Sequence, residues 1–106
     1  MTDLKWSDAE KKIAKRAFDA ALTRELAALI AKVKDLAAKA KDPDDIWAIN
    51  DYLTKQRKEI DRKYDYRYSQ LIFAFAQLLR EKQIEEKEIE GLREDKLQPI
   101  RHLAGL

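Results

Sequence analysis

The side chains that could perform chemistry are few in this sequence, and their spacing matches no familiar catalytic or metal-binding pattern. The single histidine, His102, lies near the C-terminal end, and no cysteine is present to act as a nucleophile or thiolate ligand. Neither Glu-x-x-His nor His-Glu-x-x-His spacing occurs, and no glycine-rich loop could hold a phosphate. The adjacent carboxylates at 44–45 and 85–86 would point in different directions from a helix. We therefore expect no enzyme activity, no metal site and no cofactor.

The most informative polar side chains lie on one face of the second predicted helix. At about 100° per residue, Trp47 falls more than about 100° from the apolar stripe of that helix. Tryptophan and arginine are enriched in the hot spots of protein interfaces. The pattern predicts a protein-binding patch, although packing on another helix or on a dimer mate fits it equally well. The residues on or beside this face are Trp47, Asn50, Asp51, Thr54, Arg57, Lys58 and Asp61.

Three tyrosines, Tyr64, Tyr66 and Tyr68, alternate with Asp65 and Arg67. Rings interleaved with basic residues are typical of single-stranded nucleic acid binding. However, an acid lies between the rings, and 22 basic against 20 acidic residues give a net charge of only +2. We therefore expect no nucleic acid partner and assign the tyrosines to the core or to an interface.

The longest apolar run is the segment 71–79. It is far too short to cross a membrane, which takes about 20 residues. Two of its side chains, Phe73 and Phe75, cannot both face one core stripe of a helix, so one should be free to contact a second element or a partner. The N-terminal segment has no apolar stretch typical of a signal peptide. We therefore expect a cytoplasmic protein without membrane insertion.

The composition indicates an all-α fold, because 40% of the 106 residues are charged and only two are Gly and two Pro. Ser7 and Glu10 have the spacing of a capping box, and a helix is predicted from about Asp8 to Ala40. Such a long helix needs a partner along its apolar seam. That seam has heptad spacing and comprises Leu22, Leu26, Leu29, Val33, Leu36 and Ala40.

The segment KDPDD ends this helix and begins the next, with Asp42 as a cap and Pro43 at the first helical position. So short a break predicts an antiparallel hairpin. The second helix could either continue to about Glu81 or bend between Asp65 and Ser69. Its predicted apolar side comprises Ile46, Ile49, Leu53, Ile60 and Tyr64, followed by Leu71, Phe75 and Leu78.

The length fits a single all-helical domain, 1–106. Residues 7–82 are predicted to form long helices, a stalk through which two copies pair. Residues 83–106 are predicted to form a small head of one or two closing helices, because Gly91 can terminate a helix and Pro99 disfavours a long one. A narrow, elongated chain of this size exposes much surface, which pairing with a second copy would reduce.

Four segments together resemble the fluorescence recovery protein family of cyanobacteria. They are WSDAE at 6–10, RELAALI at 24–30, DDIWAINDYL at 44–53 and RKEIDRKYDYRYSQLIFAFAQLL at 57–79. The similarity extends from Trp6 to about Leu103 and is strongest between Asp44 and Leu79. It implies an all-helical fold that dimerises through its long helices and carries a smaller C-terminal head.

The resemblance also implies a function in which no covalent bond is made or broken. Members of the family bind the photoactivated, red form of the orange carotenoid protein through its C-terminal domain. They accelerate its return to the orange form and promote its release from the phycobilisome, which ends non-photochemical quenching. In physical terms, such a protein must bind the transition between the two forms more tightly than it binds the red form.

The family's interaction and dimer positions match Trp47, Asp51 and Arg57, and a phenylalanine of its head matches Phe73. The chain departs from the family pattern at Asn50 and Lys58, where the pattern usually has histidine, and at Arg62, where it has glycine. The C-terminal LQPIRHLAGL also differs. These departures suggest a divergent homologue, for which a different protein client in an organism without phycobilisomes is the alternative.

An enzymatic alternative is a small dimeric helical chorismate mutase, which has a similar size. Such an enzyme needs several arginines that converge on a dicarboxylate. Arg57, Arg67 and Arg80 could be nominated, but their spacing does not fit that site.

Overall fold

A computed structural model describes residues 4–106, so the first three residues of the predicted domain lie outside it. Over the described range the chain is helical and contains no strand, which confirms the predicted all-α class. The elements are α1 (Asp8–Lys39), α2 (Pro43–Lys63), α3 (Leu71–Arg80), a 3₁₀ turn (Glu86–Ile89) and α4 (Glu94–Ala104). The molecule is elongated, with extents of 54 × 27 × 25 Å.

Helix α1 begins with the capping box that its sequence predicts. The Glu10 N–H donates to Ser7 Oγ at 3.1 Å, and the Ser7 N–H donates to Glu10 Oε1 at 3.1 Å. These bonds satisfy two of the N–H groups that the first turn of a helix leaves without partners. The helix ends at Lys39, one residue before the predicted end.

Helix α2 begins at Pro43, as the sequence predicts. Asp45 Oδ2 accepts the N–H groups of Lys41 at 2.8 Å and of Asp42 at 3.0 Å. These two backbone hydrogen bonds hold the pKa of Asp45 below its ordinary value. The helix then runs for 21 residues, but Lys63 is the only one of them that is buried.

Helix α2 ends at Lys63, and the chain turns before α3, so the second helix does not continue to Glu81. Residues 64–67 are not helical. This arrangement brings Tyr64 and Tyr66 onto Phe18 of α1, with ring centroids 5.3 Å and 4.9 Å away and edge-to-face geometry. The break therefore covers the core with rings that a continuous helix would have directed to opposite sides.

The hydrophobic core lies at one end of the molecule. Helix α3 packs against α4, and the N-terminal half of α1 contacts α3 and the 3₁₀ turn. The core comprises Trp6, Ala14, Ala17, Phe18, Ala21, Leu71, Ile72, Phe75, Leu78, Ile84, Ile89, Leu92, Leu97 and Ile100. We call this part of the molecule the cored end.

A glycine permits close packing where the 3₁₀ turn leads into α4. Gly91 has φ +102°, a conformation that other residues rarely adopt. A Cβ atom at this position would lie 2.6 Å from Ile13 Cδ1 on α1. A side chain here would require the Ile13 tip to shift, and the positive φ would strain it in any case. Pro99 lies inside α4, which is only 11 residues long.

A buried ion pair joins α1 to α4. Glu10 and Lys96 are 2% and 0% exposed, and Lys96 Nζ lies 3.1 Å from Glu10 Oε1. Glu10 Oε2 also accepts the Arg93 N–H at 2.9 Å, while Lys96 Nζ lies 5.2 Å from the centre of the Trp6 ring. Burial by itself would raise the pKa of Glu10, but the N–H donors of Arg93 and Ser7 and the Lys96 ammonium lower it from 4.5 to about 2.

This lowered pKa predicts how stability varies with pH. The contribution of Glu10 is complete above its unfolded-state pKa of 4.5 and is lost as pH falls from 4.5 to about 2, a total on the order of 3 kcal/mol. We expect Glu10→Gln to destabilise the protein at pH 7 and to reduce its loss of stability below pH 4.5. Urea unfolding followed by circular dichroism across this range measures both effects.

The double variant Glu10→Gln/Lys96→Met provides the control, because it removes the uncompensated ammonium that the single variant leaves buried. It should recover part of the stability lost at pH 7. An acid limb of the stability profile that is equally steep in the wild type and in Glu10→Gln would show that other carboxylates govern the acid response.

Candidate functional site

The predicted polar face of α2 is exposed along its whole length. Trp47 is 64% exposed, the largest exposed fraction among the aromatic side chains of the described residues. The helix carries the face because it is regular from Pro43 to Lys63. The predicted site residues that the structure places together there, all exposed, are Trp47, Asn50, Asp51, Thr54, Arg57 and Lys58. We call this surface the Trp47 face.

Most polar groups of the Trp47 face remain available to a partner. Thr54 Oγ1 donates to the Asn50 carbonyl at 2.9 Å, a local bond within the helix. Arg57 Nε lies 3.8 Å from Asp61 Oδ2, and with 85% of the Arg57 side chain exposed this pair contributes little stability. Asp51 and Lys58 form no side-chain hydrogen bond or ion pair within residues 4–106. The face therefore presents both signs of charge around one large ring.

The structure places Phe73 on another element. It projects from α3 and is 58% exposed, whereas Phe75, two residues later, is fully buried. The structure thus resolves which of the two phenylalanines faces the core. Phe73 is separated from the Trp47 face by the turn 64–70, so the predicted site residues form two surfaces and not one. Their role in binding stays a prediction.

Large apolar side chains are also exposed along α1 and α2. On α1, Leu26 and Ile30 are 41% and 57% exposed; on α2, Ile46 and Leu53 are 58% and 37% exposed. Each pair is spaced so that its members lie on one side of their helix. Leu36 and Ile49 from the same two helices line an open cleft of about 300 Å³. We call the four exposed residues, Leu26, Ile30, Ile46 and Leu53, the apolar strip.

Sequence reasoning missed a polar cluster at the junction between the long helices and the cored end. Lys63 Nζ donates to Oε1 of Glu81, the residue after α3, at 2.7 Å and also contacts Glu25 of α1. Although burial lowers the pKa of Lys63, its hydrogen bonds to the two carboxylates raise it. Burial, reinforced by the nearby Glu25 charge, raises the pKa of Tyr64. A usable signal was present, because Lys63 and Glu25 carry opposite charges and each lies three residues after an apolar position, Ile60 and Leu22.

Neither a metal site nor a membrane span is found in the described part of the chain. Over residues 4–106 no three His, Cys, Asp or Glu side chains are grouped to hold an ion. Across the same range, no helix combines the length and the apolar character that crossing a membrane requires. His102 is exposed near the end of α4 and has no part in the Trp47 face.

The fold and the exposed surfaces define a small, elongated, all-helical protein, and comparison with known proteins gives its family. The model of the family described as photoprotection regulator fluorescence recovery protein matches residues 6–104. The chain belongs to the fluorescence recovery protein family. It is 44% identical over 101 residues to the fluorescence recovery protein of Synechocystis sp. PCC 6803. The aligned residues make up 95% of this chain and 93% of that protein.

Solved structures agree with this assignment. The fluorescence recovery protein of Fremyella diplosiphon matches with a TM-score of 0.91 and 42% identity, covering 96% of this chain and all of the other. The Synechocystis protein matches with a TM-score of 0.91 and 43% identity over the same shares. The predicted family and the all-helical fold are confirmed.

The two phenylalanines of α3, Phe73 and Phe75, give a matched test of which ring belongs to the core and which to the surface. We expect Phe75→Ala to lower the free energy of unfolding by about 3–5 kcal/mol, because it leaves a cavity in the core. Phe73→Ala should lower it by less than about 1 kcal/mol, because that ring is mostly in water. Both values come from urea unfolding, measured for each variant at the same low and the same high protein concentration. A large loss for Phe73→Ala that shrinks as concentration rises would place this ring between two copies of the chain.

Proposed function

We propose that this protein is a non-enzymatic photoprotection regulator. In this proposal it binds the C-terminal domain of the photoactivated orange carotenoid protein and accelerates its reversion from red to orange. Non-photochemical quenching at the phycobilisome then ends. The proposal rests on membership of the fluorescence recovery protein family. The observation that carries it is the Trp47 face, where a 64% exposed tryptophan lies beside charged groups with few partners.

The Trp47 face has the composition of a binding surface. Aromatic and arginine side chains give protein interfaces much of their free energy, and directional polar groups around them determine the orientation of the partner. Trp47 would supply the buried area, while Asp51 and Arg57 would pair with groups on the client. Phe73 would add a second contact from α3, at a distance from the first. A ligand that contacts two surfaces can favour one conformation of its client over another.

We further propose that the protein acts as a homodimer formed through the long helices, which would make a hairpin stalk. Helix α2 buries one residue out of 21, so its helical state needs more packing than one chain supplies. The apolar strip supplies the matching surface on both helices. Because the strip includes Ile46, next to Trp47, the dimer interface and the Trp47 face would adjoin each other.

The dimer proposal predicts the effect of a charge in the strip. Ile30→Glu should convert the dimer to a monomer at micromolar concentration, because pairing would bury an unpaired carboxylate. Analytical ultracentrifugation measures the change. Ala31→Glu is the matched control, since Ala31 is exposed on α1 and its direction is about 100° from that of Ile30. Equal dissociation by both variants, or by neither, would contradict this interface.

A second candidate function keeps the fold and changes the client. Asn50 and Lys58, which depart from the family pattern, are both exposed on the Trp47 face. Substitutions on an interface can change its specificity without altering the fold. In this case the same face would bind a different protein, in an organism that lacks phycobilisomes.

An optical experiment distinguishes the two candidates. Purified orange carotenoid protein is converted to its red form by light, this protein is added at increasing ratios, and the return of the orange absorbance is followed in the dark. We expect a clear acceleration that Asp51→Ala and Arg57→Ala abolish. Lys34→Ala is the control for loss of a cation, because Lys34 is exposed on α1 away from the Trp47 face.

Two results would contradict the main proposal. The first is no acceleration by a folded, helical wild-type protein, which would favour a different client. The second is full acceleration by both α2 variants, which would place the contact elsewhere. Since Trp47 could face either the client or the dimer mate, Trp47→Ala is run on a sizing column as well. Retained dimer with lost acceleration assigns Trp47 to the client.

A further inference from the structure

The N-terminal half of α1 carries a basic surface that the proposed function does not use. Lys11, Lys12, Lys15 and Arg16 line a shallow concavity of about 480 Å³, together with Tyr66 and Tyr68. All four basic residues are exposed. These four residues span about one and a half turns of α1, and their cations surround the two rings. We call these six residues the α1 basic patch.

The charge of the α1 basic patch is largely uncompensated. Lys15 pairs with Asp19 at 3.1 Å, whereas Lys11, Lys12 and Arg16 form no ion pair or side-chain hydrogen bond within residues 4–106. The acidic residues between positions 85 and 95 differ from these cations, because most of them are already paired with a residue of opposite charge. These pairs are Glu85 with Lys87, Glu86 and Glu94 with Arg101, Glu88 with Arg24, and Asp95 with Lys96.

The rings hold the patch in a defined shape. Tyr66 is fixed against the core, 4.9 Å from the Phe18 ring, and lies 5.7 Å from the Tyr68 ring. Lys15 Nζ lies 5.0 Å from the centre of the Tyr66 ring, and Lys11 Nζ lies 5.4 Å from that of Tyr68. These cation–π contacts restrict the two ammonium groups before any ligand arrives, which lowers the entropy cost of binding.

We propose that the α1 basic patch binds a carboxylate-rich segment of a partner protein. Lysine and arginine side chains on a surface with aromatic rings complement Asp and Glu in charge and supply apolar area beside it. The patch lies on α1 and the turn 64–70, separate from the Trp47 face on α2 and from Phe73 on α3. The proposal therefore adds a further binding surface and does not depend on the identity of the client in the proposed function.

The geometry favours an acidic protein over the other polyanions. Single-stranded nucleic acids stack their bases on free ring faces, but here the lysines lie over the rings, and the rings pack edge-to-face on one another. Membrane surfaces bind through large apolar side chains next to the cations. Within the patch, the most exposed large side chain that could insert is Tyr68, which is 40% exposed.

The test is fluorescence anisotropy of a short labelled peptide rich in Glu and Asp, compared with the same peptide carrying Gln and Asn. The full chain and the variant Lys11→Gln/Lys12→Gln/Arg16→Gln are titrated into both peptides at low and at physiological salt. The variant Lys32→Gln/Lys34→Gln/Lys41→Gln is the control, because it changes the net charge by the same amount at exposed positions outside the patch. Circular dichroism confirms that both variants remain folded.

We expect the acidic peptide to bind the wild-type protein and the control variant alike, and to bind the patch variant about tenfold more weakly. The amide peptide should bind none of them, and added salt should weaken the acidic complex. An equal loss in both variants would show that only net charge matters and would overturn the proposal. Tighter binding of a single-stranded oligonucleotide or of vesicles containing anionic lipid, lost in the patch variant, would overturn the choice of an acidic protein.

Discussion

The Glu10 carboxylate links the beginning of the fold to its end. One oxygen completes the capping box of α1, the other accepts the Arg93 N–H at the start of α4, and both lie near Lys96 Nζ. The bond to Arg93 spans 83 residues of chain and the one to Lys96 spans 86, so Glu10 closes long loops in the cored end. A carboxylate this deeply buried stays charged only because the Arg93 and Ser7 N–H groups and the Lys96 ammonium all bond to it. The position of α4, and of α3 packed on it, therefore depends on Glu10.

The cored end and the long helices differ in how they are stabilised. The cored end has its own hydrophobic core and a buried ion pair. The parts of α1 and α2 outside the cored end bury little, because α2 buries only Lys63 and large apolar side chains of both helices stay exposed. Lys63 joins the two parts through Glu25 on α1 and Glu81, the residue that caps α3.

The surfaces proposed for binding lie where folding makes few demands. The Trp47 face and the four basic residues of the α1 basic patch are exposed, so substitutions there should cost little stability. Asn50 and Lys58 are exposed in this way, so their identities place little constraint on a backbone that matches a solved family structure at a TM-score of 0.91.

The sequence alone determined the all-helical class, the capping box at Ser7, the start of α2 at Pro43, the family and the shared face of Trp47 and Arg57. Those features follow from local spacing and capping chemistry, which short segments encode by themselves. Only the tertiary structure decided where α2 ends, which phenylalanine is buried, and that Lys11 and Lys15 lie over Tyr68 and Tyr66. Each of these depends on contacts between segments far apart in the chain, whose free energies outweigh local helix propensity.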